Sequence, residues 1–315
     1  MTVLVTGSSG FVGRAVCRQM AAMGRSVRGA QRQPGAQPEG WDTVVVAPLS
    51  SQTDWTQALA GCQAVVHTAA RVHVMSETAE DPLTEFRRIN VEGTLELARQ
   101  AAAAGVRRFV YVSSIKVNGE VTLANHPFMA KDTPAPVDPY GTSKLEAELG
   151  LQRLAAQTGL DIVTVRPPLV YGPGVKANFA SLLRVLRRGV PLPLGSVTDN
   201  RRSLVALDNL VDLLIACVEH PAAANQTFLV SDDEDLSTTH LLRRMGLAMG
   251  KPARLLPVPP GWLMMGATVL GKSDVARRLL GNLQVDITHT RQTLGWTPPI
   301  SVDVGLKRAV EGMAT

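Results

Sequence analysis

"VTGSSGFVGRAV", residues 5–16, stands close to the start of the chain, and its reading governs everything after it. Before it, Met1 to Val5 form a short apolar run with β-branched Val3 and Val5, the pattern of a buried strand. After it, Phe11 to Met23 are rich in Ala, Arg and Met and read as a helix. Gly7, Gly10 and Gly13 lie at even spacing between the two. A strand that turns through glycines into a helix presents free N–H groups and a positive dipole end, which suits a phosphate. Glycine takes the positive-φ conformations of the turn and lets backbone approach a ligand or the strand closely. Read alone, the triplet is equally a tight turn of small residues, so the rest of the chain decides.

With 315 residues the chain can bury a large core, as one big domain or two closely joined ones. Apolar residues make up 45% and charged residues 19%, a globular balance that argues against disorder. The net charge is +5, but arginine supplies 25 of the 32 basic residues and they are dispersed. Dispersed charge suits a small anion, and without a basic run interleaved with aromatics no nucleic-acid partner is expected. Cys17, Cys62 and Cys217 are far apart with no CxxC pair, so three buried thiols in a reducing compartment are expected. The histidines show no metal-ligand spacing, and no metal is expected. The opening strand leaves no room for a signal peptide, and "PPGWLMMGATVLG" (259–271) is too short and too rich in Gly and Pro to span a bilayer. The expected location is the cytoplasm.

Short apolar runs alternate with helical patterns through the first half. Strands are expected at Met1–Val5, Ser26–Ala30, Thr43–Val46, Ala64–Thr68, Arg108–Val112 and Asp161–Arg166, with helices near 11–23, 53–60, 82–104 and 139–158. This alternation predicts an α/β fold with a doubly wound parallel sheet of the Rossmann type, its ligand at the carboxyl ends of the strands. Residues 1–170 form the dinucleotide-binding domain in this reading. Beyond them Pro and Gly cluster, and residues 171–315 read mainly as a smaller C-terminal substrate-binding lid. Segment 201–220 returns to the sheet domain, and "FLVSD" (228–232) is the one further clear strand.

"YGTSK" places Tyr140 and Lys144 four apart on one helix face. At about 4 Å and an effective dielectric of about 20, an ammonium favours a phenolate by roughly 4 kcal/mol. That would move the phenol from about 10 toward about 7, the useful range for general acid–base work. Upstream, the strand in "RFVYVSSIKVNG" runs into Ser113 and Ser114, whose hydroxyls could hold a substrate oxygen opposite the phenol. Asn90 could orient the lysine; its plainer reading is an asparagine bonded to backbone inside a helix.

Thr6 to Gly13, "HTAA" (67–70), "NVEGT" (90–94), "VYVSS" (110–114), Tyr140 with Lys144 and "RPPLVYGPG" (166–174) together resemble the extended short-chain dehydrogenase/reductases. Within them the chain looks closest to the nucleotide-sugar epimerase/dehydratase group, over nearly its whole length. The resemblance implies Ser114, Tyr140 and Lys144 as the catalytic set, with Asn90 in support. Ser114 is preferred to Ser113 because it lies five before Gly119. Cofactor contacts are implied at Gly7, Ser9, Gly10, Phe11, Val12, Gly13, Arg32, Leu49, Ala69, Ala70, Asn90, Tyr140, Lys144 and Pro167. Substrate contacts are implied at Ser114, Lys116, Asn178 and Arg201, the last gripping the diphosphate of a nucleotide sugar. The family often dimerises through helices such as 82–104 and 139–158, so a homodimer is the protein partner it suggests.

Three departures bear on the reaction and its cofactor. Family dehydratases carry an Asp–Glu pair straight after the catalytic hydroxyl; here stand Ile115 and Lys116, which disfavours elimination of water. NAD-binding members usually place an acidic residue after the second strand. This chain has "VRGAQRQPG" (27–35), where Arg28 and Arg32 suit a 2′-phosphate and tilt the cofactor from NAD toward NADP. Pro48 replaces an aspartate often found near the adenine. "AARVHVMSE" and "SSIKVNGE" look most like reductases of UDP-linked 4-keto-6-deoxy-N-acetylhexosamines in surface-polysaccharide synthesis. The leading expectation is therefore a nucleotide-sugar 4-ketoreductase, with a UDP-sugar 4-epimerase as the alternative and a non-catalytic dinucleotide sensor as the rival of another class.

Overall fold

The computed structural model describes residues 1–34, 40–72 and 81–313. Nine strands and twelve helices follow one another among the described residues. They are β1 (Thr2–Thr6), α1 (Phe11–Ala22), β2 (Ser26–Gln31), β3 (Asp42–Val45), α2 (Thr56–Leu59), β4 (Cys62–His67), α3 (Pro82–Phe86) and α4 (Thr94–Ala103). Then come β5 (Arg108–Val112), α5 (Pro139–Thr158), β6 (Asp161–Arg166), β7 (Leu169–Tyr171), α6 (Ala177–Arg187), β8 (Leu204–Ala206) and α7 (Leu207–Glu219). The chain continues with β9 (Thr227–Leu229), α8 (Thr238–Ala248), α9 (Pro260–Val269), α10 (Ser273–Leu280), α11 (Thr288–Leu294) and α12 (Val302–Glu311).

Seven strands form one sheet in the order β3-β2-β1-β4-β5-β6-β9, every neighbour parallel. The winding direction reverses between β1 and β4, which opens a crevice at their carboxyl ends. Alternate side chains feed opposite faces. Val3, Val5, Val66 and Val110 pack with Val16 and Met20 of α1 and with Leu210 and Leu214 of α7. Leu4, Val65 and Phe109 pack with Leu97 and Ala101 of α4 and with Ala147 and Leu151 of α5. Both faces are dry, which is why the strands read as continuous apolar runs.

The helix expected over 82–104 is three pieces. Between α3 and α4 the chain widens into a π-helical turn over Arg87–Gly93. Gly93 lets this turn lie on Leu49, whose Cγ would be 2.7 Å from a Cβ there. The helix near 53–60 shrinks to the single turn of α2.

The second half also differs in detail from expectation. Segment 201–220 does send α7 onto the main sheet, but its strand β8 pairs with β7 in a separate two-stranded sheet. The strand in "FLVSD" begins one residue earlier and joins the main sheet beside β6. The strand expected at the start of 201–220 is β8, while its partner β7 was not expected, because three residues lack the long apolar run that marks a buried strand in sequence. A third core gathers Phe179 and Leu183 of α6, Leu242 and Met245 of α8 and Leu306 of α12. Among the described residues all three cysteines are free and buried, no group of side chains is arranged for a metal, and no helix is long and apolar enough to cross a membrane.

Candidate active site

At the crevice the glycine turn leaves no room for side chains. Gly7 has φ +68°, and a Cβ there would sit 2.8 Å from Thr68 Oγ1. A Cβ on Gly13 would lie 2.3 Å from the Gly7 carbonyl oxygen, so the helix packs on the turn only because that position is bare. The Thr68 hydroxyl donates to the Thr6 carbonyl at 2.7 Å and ties the end of β4 to β1. Gly10 caps α1 without any side-chain hydrogen bond, leaving the first N–H groups of the helix for an outside acceptor. Ser9, Gly10 and Phe11 line a cleft of about 790 Å³ together with Pro173, Gly174 and Lys176. Val12, Ala69 and Ala70 are half-buried beside the turn, Leu49 lies under the π turn, and Pro167 is buried, accepting from Ile115 N–H at 3.0 Å. An uncapped helix start with a glycine cradle fits the pyrophosphate of a dinucleotide.

The two arginines expected to mark a 2′-phosphate are not equivalent. Arg28 points away from the crevice and donates to the carbonyls of Ala58 (2.9 Å) and Ala60 (2.7 Å), closing the end of α2. Lone carbonyls at a helix end attract a guanidinium, and that use removes Arg28 from cofactor choice. Arg32 follows β2 and is exposed.

Farther along the crevice lie the acid–base residues. Ser114 ends the strand segment after β5 and accepts from Lys116 N–H at 3.2 Å, capping a short 3-10 turn. Its hydroxyl stands against the Tyr140 phenol. Asp138 caps α5 by accepting from Gly141 N–H at 2.6 Å, and Pro139 opens the helix, so Tyr140 is held in its first turn. Lys144 is one turn on, its ammonium donating to the Val112 carbonyl at 2.9 Å. That ammonium lies 4.7 Å from the Tyr111 ring centroid and 5.9 Å from that of Tyr140.

The electrostatics reverse the expectation drawn from spacing. Burial pushes the Tyr140 phenol up to about 12, Asp138 adds to this, and Ser114 holds it back. Burial pulls Lys144 down to about 7, against the opposing pull of Glu148. Desolvation outweighs the Tyr–Lys attraction because the lysine is only 2% exposed. His67, fully buried between the hydroxyls of Thr6 (2.7 Å) and Thr94 (3.0 Å), is lowered to about 3 by burial and then by Lys144. It is a structural imidazole.

Asn90 does not touch Lys144. Its side chain accepts from Arg71 N–H (2.8 Å) and donates to the Arg71 carbonyl (3.0 Å) and to Ser143 Oγ (3.1 Å). Through those bonds it clamps the segment after β4 to α5, and the π turn supplies its inward position. Lys116 is likewise committed: its ammonium donates to Glu120 at 2.6 Å and to Asp138, which hold its pKa up against burial. Asn178 sits exposed in the first turn of α6.

Arg201 is exposed and donates to the Thr198 (2.8 Å) and Asn200 (3.0 Å) carbonyls of its own loop. The inward guanidinium belongs to its neighbour. Arg202 bridges to Leu236 and Leu283 as a strand residue would, so its side chain projects opposite to that of Arg201. Burial lowers the Arg202 pKa, and the nearby Arg278 of α10 lowers it further, with Glu120 opposing. Arg202 donates to the Gly281 carbonyl at 3.2 Å, and the exposed Arg278 beside it adds a second positive charge that an anion would offset.

Sequence reasoning also missed a buried polar chain behind the site. Ser113 Oγ donates to Glu148 at 2.5 Å, Arg166 pairs with Glu148 through both nitrogens of its fork, and its third nitrogen donates to Asn118 Oδ1 at 2.9 Å. Arg166 and Glu148 are 5% and 1% exposed at their side chains. Glu148 lies four residues beyond Lys144, so the spacing Tyr140–Lys144–Glu148 was a usable signal. It also explains the two serines: Ser113 serves Glu148 and leaves Ser114 for the phenol.

The chain is 47% identical over 98% of its length to a UDP-glucose 4-epimerase of Vibrio cholerae, covering 94% of that protein. Its fold is that of the UDP-N-acetylglucosamine 4-epimerase from Bacillus cereus (TM-score 0.82, 19% identity, all of both chains). It also matches the UDP-glucuronic acid 4-epimerase from Bacillus cereus solved with UDP-glucuronic acid and NAD (TM-score 0.79, 20% identity, 100% of this chain and 99% of that one). Residues 3–231, from β1 to just past β9, match the NAD-dependent epimerase/dehydratase family, and to that family this chain belongs.

Proposed function

We propose that the chain is an NAD-dependent 4-epimerase of UDP-sugars. The observation that carries this reading is the Ser114 hydroxyl against the Tyr140 phenol at the carboxyl end of β5, one helix turn from Lys144. Likeness at 47% identity to a UDP-glucose 4-epimerase supports the substrate class. NAD would supply the hydride acceptor for C4 of the sugar and a positive charge to the site. The glycine turn and the open start of α1 would hold its pyrophosphate.

Tyr140 exchanges the proton of the sugar's 4-oxygen while Ser114 shares a hydrogen bond with that oxygen. With the phenol pushed up and Lys144 pulled down, the proton rests on Tyr140, which is set to protonate an alkoxide. Taking the proton back requires added positive charge nearby. Arg202 and Arg278 would grip the diphosphate. Ile115 and the ion-paired Lys116 provide no acid–base pair for elimination of water.

A second reading, 4-ketoreductase, draws on the end of β2, where Gln31 and exposed Arg32 offer no carboxylate to hold a ribose and so favour exchange of cofactor. Arg28 no longer contributes to it, and part of the "AARVHVMSE" resemblance lies outside the described residues. Purified protein given UDP-glucose or UDP-N-acetylglucosamine should form the C4 epimer with no reductant added. Oxidation of NADH or NADPH on a 4-keto sugar nucleotide, without epimer formation, would establish the reductase instead; a sensor would turn over neither.

A further inference from the structure

The longest stretch of the chain without a charged residue is not in its core. From Leu255 to Gly271 there is no charged residue, yet α9, which fills most of this segment, contains no buried residue. Trp262, Met265 and Val269 are 71%, 64% and 83% exposed. Their spacing of three and then four aligns them as one stripe along the helix. Leu270, 72% exposed, continues it. A helix that is apolar on its outer face must be covered by something other than water.

We propose that α9 docks flat on an anionic lipid bilayer surface. Charge at the two ends of the stripe argues for lipid: Arg254 precedes it and Lys272 and Arg277 follow it, all exposed, against the single carboxylate of Asp274. Lys and Arg flanking an apolar helix with an interfacial tryptophan match the charge of phospholipid headgroups and the polarity gradient beneath them. Area argues against a second copy. Ten residues make a helix about 15 Å long and about 10 Å wide, a face of roughly 150 Å² against the roughly 800 Å² per partner of a stable interface. Shallow insertion of one such helix needs no larger surface.

The full chain is to be sedimented with vesicles of phosphatidylcholine alone and with added phosphatidylglycerol. Binding is expected to the anionic vesicles and to weaken with salt. The double substitution Trp262→Ser with Met265→Ser should reduce it at least about tenfold, from two apolar side chains lost. Lys272→Glu should weaken it about fivefold or more. All these positions are exposed, so circular dichroism and solution turnover should be unchanged, which separates a docking defect from misfolding. Quenching by brominated lipid should reach Trp262 and vanish in Trp262→Phe. Equal binding to neutral and anionic vesicles, binding unaffected by these substitutions, or a dimer seen by light scattering that the double variant abolishes would each overturn the proposal.

Discussion

The two ends of the crevice are built to different standards. At the catalytic end, α5, β5 and β6 are bound by a dry chain of charged and polar groups, Ser113–Glu148–Arg166–Asn118, directly behind Ser114 and Lys144. At the other end, past β2, the described residues offer Gln31 and an exposed Arg32, while Arg28 has turned away to close α2. The contrast teaches that the position of the chemistry is over-determined, whereas the choice of cofactor is weakly written. Buried polar groups that satisfy one another admit few alternative arrangements, and exposed ones admit many.

The largest effect should come from the catalytic end. Tyr140→Phe should lower turnover by roughly 10²–10⁴-fold, the usual worth of a positioned acid–base group, with the fold intact by circular dichroism. Near-normal epimer formation by that variant would remove the mechanism. Next is Glu148→Ala, which strands Arg166 in a dry place and should cost about 3–5 kcal/mol in denaturant titration. A cost under about 1 kcal/mol would show that the catalytic end is no more rigid than the other. Arg202→Ala should weaken UDP binding by about 2–5 kcal/mol in calorimetry, while Arg201→Ala leaves it nearly unchanged. The reverse result would restore the assignment drawn from the sequence.

His67 gives a pH test of the same dry interior. Its folded pKa of about 3 lies below the ordinary 6.5, so below pH 6.5 the unfolded chain binds the extra proton. Its contribution is complete above pH 6.5 and declines as pH falls toward 3, by about 2 kcal/mol down to about pH 5. The ring's NMR signals should show no protonation across that window; titration near 6.5 would mean water reaches the strand ends. The smallest effect belongs to the open end. Arg32→Ala should change the Michaelis constants for NADH and NADPH by less than about twofold, as expected for a solvated guanidinium. A selective loss for NADPH of about tenfold or more would show that Arg32 reads a 2′-phosphate.

What the sequence determined is what local pattern can carry. The glycine triplet, the β-branched strands and the four-residue spacing of Tyr140 and Lys144 depend on backbone geometry within one strand–turn–helix unit or one helix face. The parallel sheet and the catalytic neighbourhood were therefore legible. Tertiary structure decided everything that depends on the far side of a contact. It made Arg28 a helix closure, committed Lys116 to Asp138 and Glu120, turned Arg202 inward in place of Arg201, and widened the helix at Asn90 to clasp Arg71. It also reversed the acid–base expectation for Tyr140 and Lys144. Spacing reports that two groups are near; only packing around them reports how much water has gone, and desolvation outweighs the attraction between them.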